Sequence, residues 1–155
     1  MPSTVVATGG KFRYQQREVP DTFNMLVDYP QKLTVAILGT QGNNYCATGM
    51  RGAAGRIPVI RGWDGSLTIE RKHNKIAFIP AQGSKKKHQT FDIKYGENMI
   101  NYYKHFLDCC RAGKKETYSP ADLAYRTQTA LIMGMLALRE GKTARFDAAK
   151  EKIVL

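Results

Sequence analysis

The side chains able to do chemistry are few, and their spacing says more than their number. The 155 residues hold three histidines, His73, His88 and His105, and three cysteines, Cys46, Cys109 and Cys110. There is no C-x-x-C, and no Cys/His pair has the spacing of zinc ligands. Cys109 and Cys110 are neighbours in a stretch of helical pattern, so they project about 100° apart and cannot share a metal. Free, mostly buried thiols in a reducing compartment are the expectation. His73 and His88 sit among polar residues and read as solvated. His105, next to Phe106, reads as a surface or packing residue before a catalytic one. Asp21 and Asp28 have no evident carboxylate partner. Asn43-Asn44-Tyr45 is of a different kind. Its amide and phenol groups suit a hydroxyl-rich ligand such as a sugar, the other reading being an ordinary Asn turn. Arg126 lies on a helical face otherwise fit for packing. It reads as a structural anchor for a carboxylate, with a solvated edge as the alternative.

The glycine clusters do not have the pattern of a phosphate-binding loop. Gly52-Ala53-Ala54-Gly55 and Gly62-Trp63-Asp64-Gly65 are too short for G-x-G-x-x-G, and neither leads into a helix. A P-loop pattern is absent too. With no strand-to-helix turn to present amides to a pyrophosphate, the 155 residues are expected to bind no NAD(P).

Charge and hydropathy bound the class. The chain carries 24 Lys and Arg against 13 Asp and Glu, for a net charge of +11, and 43% of its residues are hydrophobic. That is the composition of a folded domain, and the length suits a single one, residues 1–155. A basic excess can mark a nucleic-acid binder, but here the charges are scattered. The only tight run, Lys85-Lys86-Lys87, beside Gly83 and Ser84, reads as a solvated loop, so no nucleic-acid partner is expected. Residues 1–8 lack the basic and apolar regions of a signal peptide, and no apolar run approaches the ~18 residues of a membrane span. A cytoplasmic protein with no membrane partner is the expectation.

These groups must be positioned by strands first and helices later. Thr4–Ala7 is a short β-branched strand that Gly9-Gly10 should break. Residues 23–29 and 33–38 form a hairpin about Pro30-Gln31-Lys32. Residues 39–55 read as a long loop. Residues 57–61 and 66–70 flank Asp64-Gly65, a hairpin signal because Gly takes positive φ freely. Further strands fall at 75–79 and 89–93. The pattern then turns helical. Residues 97–112 end at Gly113. A second helix opens at Ser119-Pro120, with Asp122 in the place of a capping-box acid, and closes at Gly141. Its buried face reads as Leu123, Thr127, Ala130, Leu131, Gly134 and Leu138. Residues 145–155 are a tail that packs back or frays. Strands followed by helices predict an α+β fold: one large, mostly antiparallel open sheet with both long helices on one face. Met25, Val27, Leu38, Ile69, Phe78 and Ile93 are then too apolar for a solvated opposite face. A homodimer through that open face is expected.

Several stretches, in order, are similar to a known family. They are Gly9-Gly10-Lys11-Phe12, Pro20-Asp21-Thr22, Asp28-Tyr29-Pro30, Asn43-Asn44-Tyr45 and Ile60-Arg61-Gly62-Trp63-Asp64-Gly65-Ser66-Leu67. The helical stretches 105–115, 125–127 and 137–142 follow, and then 145–151. Together they resemble the C-terminal domain of glucose–fructose oxidoreductase/inositol dehydrogenase (Gfo/Idh/MocA) type enzymes. The resemblance implies a chain that shapes the substrate pocket and forms the dimer. A separate Rossmann domain, not in these residues, would hold NAD or NADP and supply the E-K-P lysine and catalytic His for oxidation of a sugar, polyol or related substrate. The chain alone is then a truncated or split piece with no catalytic residue of its own. Its substrate-side candidates are Lys11, Asn43, Asn44, Tyr45 and Arg126. The sequence departs from the family at Tyr125, where His is frequent, and at His105, where Asn is frequent. The competing reading is a stand-alone interaction or scaffold module that keeps the fold without the chemistry.

Overall fold

The structure is a computed structural model that describes residues 1–42, 58–70, 75–93 and 98–155. The chain divides into two compact units, residues 1–43 with 100–155, and residues 44–99. In the first unit, β1 (Thr4–Gly10), β2 (Thr22–Tyr29), β3 (Leu33–Thr40), β8 (Ala144–Asp147) and β9 (Lys152–Val154) form a five-stranded sheet. Its order is β3-β2-β1-β8-β9, antiparallel throughout. In the second unit, β4 (Val59–Arg61), β5 (Gly65–Glu70), β6 (Lys75–Pro80) and β7 (Gln89–Asp92) pair antiparallel in sequence order. The helices are α1 (Met99–Arg111) and α2 (Ala121–Glu140). The α+β class and its antiparallel pairing are as expected. Among the described residues, however, the strands divide between two sheets and not one. The tail at 145–155, expected to pack back or fray, packs back and supplies two of them. It extends the sheet from β1, with Thr4 opposite Arg145 and Val5 opposite Ala144.

Alternation along β1 and β2 sets the core of the first unit. Val5, Met25 and Val27 point to one face and are buried there against Ala130, Met133 and Ala137 of α2, with Ala144 of β8. This corrects two expectations. Met25 and Val27 lie beneath α2, not on the open face. Of the helical face predicted, Ala130 and Gly134 are buried as expected, but Leu123, Thr127 and Leu131 face outward, and Thr129, Met133 and Ala137 are buried with them instead. The reason is steric. A Cβ on Gly134 would stand 2.6 Å from Met25 Sδ and 3.0 Å from the Phe23 ring, so only the small-residue edge of α2 can approach the sheet this closely. The Thr129 hydroxyl loses no bond by burial, because it donates to the Tyr125 carbonyl at 2.8 Å.

Gly9 does not break β1. It continues the strand at φ 154°, opposite Phe23, where a Cβ would run into the Thr22 carbonyl. Gly65 likewise serves close approach and not positive φ. A Cβ there would meet the Ile79 carbonyl and stand 2.7 Å from the Phe78 ring. The turn it ends is closed by the Gly62 N–H donating to the Gly65 carbonyl at 2.9 Å. The helix stops are as expected, with Gly113 and Gly141 left-handed at φ 64° and 62°. The expected Ser119 cap is not formed. The N-cap is Pro120, without a side-chain cap bond, and Asp122 pairs with Arg126 instead.

On the opposite face of the five-stranded sheet, Thr4, Asp28 and Thr34 stand in register. The two threonine hydroxyls donate to the Asp28 carboxylate at 3.3 and 2.7 Å. The next row, Val6, Leu26 and Ala36, is exposed and apolar, and Leu38 lies beside it. The face is therefore mixed. In the four-stranded sheet, Ile69 and Phe78 share a face with Ile60, Leu67, Ile76 and Phe91, while Ile93 lies just past β7.

Candidate functional site

Antiparallel pairing brings the C-terminal ends of β1 and β3 to the same end of the sheet, since Gly10 pairs with Thr22 and Thr22 with Thr40. The loop after β1, residues 11–21, is therefore built next to the chain leaving β3 at Gln41 and Gly42. Asp21 organises it. Its backbone N–H donates to the Gly10 carbonyl at 3.1 Å, and its carbonyl accepts from the Gln41 N–H at 2.7 Å. One carboxylate oxygen accepts the N–H groups of Arg13 and Tyr14, both at 2.8 Å, and the other accepts the Thr22 hydroxyl at 3.0 Å. The carboxyl is held down to about 2, first by the Tyr14 N–H and then by those of Arg13 and Phe12 and the Thr22 hydroxyl, against the opposing effect of burial. Asp21 had no assigned role in the sequence. Its one signal was Pro20-Asp21-Thr22, an Asx-type turn sequence at the start of a strand.

What this anchored loop presents is cationic and aromatic. Lys11, Arg13 and Arg17 are exposed, and Tyr14 is half-buried. The Arg13 and Arg17 guanidinium carbons lie 5.5 and 4.5 Å from the centre of the Tyr14 ring. Arg13 Nη1 donates to the Gly42 carbonyl, and Arg17 Nη1 to the Gln41 side-chain oxygen.

Lys11 thus stands at the start of this loop, its carbonyl taken up by the Gln15 side chain. Asn43, Asn44 and Tyr45 lie outside the described residues. Arg126 is not the buried anchor favoured from sequence. It is 60% exposed and pairs with Asp122 one helical turn away at 3.0 Å, because it lies in the first two turns of α2, residues 121–128, which are exposed ahead of the stretch that packs on the sheet. Lys86 of the basic run is exposed and paired with Asp64 at 3.1 Å.

A second feature lies along α1. The connector after Gly113 folds back so that Tyr118 stacks on His105, with ring centres 3.6 Å apart and planes 5° from parallel. Tyr102, Tyr103 and Phe106 line the same shallow cleft of about 240 Å³. Buried Cys109 lies one turn along, its sulfur 3.7 Å from His105 Nε2 and also 3.7 Å from the Glu116 carbonyl. A thiol that donates to a carbonyl beneath a stacked imidazole is a packing arrangement, as expected for His105. Cys110 is exposed, contrary to the expectation for most thiols, and Cys46 lies outside the described residues. Among the described residues no three His, Cys, Asp or Glu side chains come together to hold a metal. No described helix is long and apolar enough to cross a membrane.

The N-terminus of α2 does not fit a dinucleotide pyrophosphate. Pro120 has no N–H to offer there, and Asp122 places a carboxylate in the first turn.

No protein-family model matches the chain, and no curated protein matches its sequence. Solved structures do match. The fold is similar to an aldose-aldose oxidoreductase from Caulobacter crescentus, solved with glycerol, at a TM-score of 0.65 and 19% identity over 93% of this chain and 41% of that one. It is similar to the yvaA protein of Bacillus subtilis, at a TM-score of 0.66 and 18% identity over 95% of this chain and 46% of that one. It is also similar to an oxidoreductase from Agrobacterium radiobacter, solved with NAD+, L-tartaric acid and magnesium. There the TM-score is 0.67 and the identity 13%, over 93% of this chain and 43% of that one. The chain spans less than half the length of each of these proteins. Its antiparallel α+β fold is therefore one that recurs as a part of larger oxidoreductases.

Proposed function

We propose that these residues are the substrate-side and oligomerisation domain of an NAD(P)-dependent oxidoreductase of the Gfo/Idh/MocA type, acting on a sugar, polyol or related hydroxy compound. The observation that carries this reading is the coverage: nearly the whole chain lies on less than half of oxidoreductases, one of them solved with NAD+. The ordered motif resemblance points the same way. The chemistry such an enzyme needs is a held nicotinamide and an acid/base for the hydroxyl proton, which a second domain would supply. The role left for this chain is to wall the substrate. The loop of Lys11 is suited to that, opening at the end of the sheet where the chain runs on from Gly42 towards Asn43, Asn44 and Tyr45. A homodimer through the sheet face that carries Val6, Leu26 and Leu38 fits the same reading.

Calorimetry on the 155-residue chain tests it, titrating NAD+ and NADP+ and then a panel of aldoses and polyols. The reading expects no heat from either nucleotide and weak binding of a hydroxyl-rich ligand that Lys11→Ala reduces. Saturable micromolar binding of either nucleotide would overturn the division of labour. Sedimentation showing a monomer at high concentration would remove the dimer.

A further inference from the structure

The Arg13–Arg17 pair holds a concentration of positive charge that nothing in the domain reading uses, and the inference from it does not depend on that reading. Both guanidinium carbons are tied to one ring centre, at 5.5 and 4.5 Å, so they stand no farther apart than the 10 Å those two distances make together. Neither has a carboxylate within ion-pair distance: the ion pairs of the described residues all lie elsewhere. Asp21, the acid their loop is built on, is buried and turned inward onto backbone N–H groups and the Thr22 hydroxyl. Glu18, in the same loop, is exposed and pairs with neither arginine.

The two arginines are pinned without being neutralised. Each gives one Nη1 donor to an uncharged acceptor, the Gly42 carbonyl for Arg13 and the Gln41 side chain for Arg17. A guanidinium carries five N–H donors, so the Nε–Nη2 edge of each keeps its fork uncommitted. The loop beneath them is held as well, since the Arg17 N–H closes a turn onto the Tyr14 carbonyl at 3.2 Å. One fork satisfies one planar carboxylate. Two forks anchored on the same tyrosine ring offer donors to a group with more oxygens around a single centre, with N–O distances of about 2.8 Å.

We propose that the 11–17 loop is a binding site for a phosphate-type oxyanion, held jointly by Arg13 and Arg17. The shared chemistry is the tetrahedral dianionic phosphoryl group, whether free phosphate or a phosphate monoester of a small molecule. With two arginines and Lys11 in seven residues, the site is sized for one such group and not for a polyanionic strand.

Heteronuclear NMR of the 155-residue chain tests the proposal, with the arginine side-chain Nε–H signals as reporters. The ligands are inorganic phosphate, glycerol 3-phosphate and acetate at constant ionic strength. The expected result is saturable shifts at Arg13, Arg17 and the loop amides with both phosphates, and binding about tenfold weaker or more with acetate. A tighter constant for glycerol 3-phosphate assigns the site to a monoester, and equal constants assign it to the phosphoryl group alone. The double variant Arg13→Gln/Arg17→Gln should lose at least about tenfold in affinity, while Lys85→Gln/Lys87→Gln should lose none. Should the double variant lose its dispersed spectrum, Arg17→Lys, which keeps the charge and loses the fork, should still weaken binding. Non-saturating shifts, equal binding of acetate, or unchanged affinity in the arginine variants would overturn the site.

Discussion

Met133→Ala is the substitution that separates the observed packing of α2 from the packing its sequence pattern predicts. Met133 is fully buried, among Val5, Val27, Ala130, Ala137 and Ala144. Truncation removes the γ-methylene, the sulfur and the ε-methyl. At about 0.8 kcal/mol for each methylene-sized group, the transfer loss is about 2.4 kcal/mol. A cavity loss adds to it, offset in part where Met25 of the same cluster shifts into the space. The total expected is about 3–4 kcal/mol, within the range of about 2–5 kcal/mol for buried Met-to-Ala changes. Helix propensity offsets little, since Met and Ala both favour helix. Leu131→Ala is the partner measurement. Leu131 is 39% exposed, so its truncation should cost about 1 kcal/mol. Urea unfolding followed by circular dichroism gives both values. Hydrogen exchange at Val5 and Val27 reports the first unit separately from the second. If Leu131→Ala costs as much as Met133→Ala, the leucine edge of α2 faces the sheet and the packing described here is wrong.

Asp21 has a carboxyl held below its ordinary 3.8, at about 2, so the stability it lends is full above pH 3.8 and is lost as pH falls towards 2. Asp21→Asn should flatten the acid limb of stability in that window, and an unchanged acid profile would show that the loop does not rely on the carboxylate. Gly9→Ala should destabilise by about 2 kcal/mol or more in a thermal melt, because the new Cβ meets the Thr22 carbonyl at a φ that favours glycine. Arg126→Ala should change stability by less than about 0.5 kcal/mol, the Asp122 pair being exposed, and a larger loss would restore the buried-anchor reading.

The elements whose rules are local were legible in the residues. Pro30-Gln31-Lys32 marked the β2–β3 hairpin, with Lys32 itself at φ 59°. Gly113 and Gly141 marked the ends of both helices, because a left-handed residue there is demanded by the backbone itself and not by its surroundings. The α+β class followed from the order of strands and helices, and a surface or packing place for His105 from its position beside Phe106. The absence of a dinucleotide fingerprint is also a property of the residues alone.

Four things were decided by tertiary contact. The face of α2 was one: the pattern placed Leu123 and Leu131 beside Ala130 and Gly134, yet Met133 and Ala137 take the buried places, because Gly134 must meet Met25 and Phe23 at a distance no Cβ allows. The strands at 144–147 and 152–154 were another, because β1 offers them a free edge that no local pattern announces. A third was the division of the described strands between two sheets, which depends on which edges meet. The last was Asp21. A lone aspartate in a sequence carries no mark of the N–H groups that will converge on it. Only once β1, β2 and β3 are side by side do the N–H groups of Arg13 and Tyr14 turn onto its carboxylate and leave Arg13 and Arg17 facing outward around Tyr14.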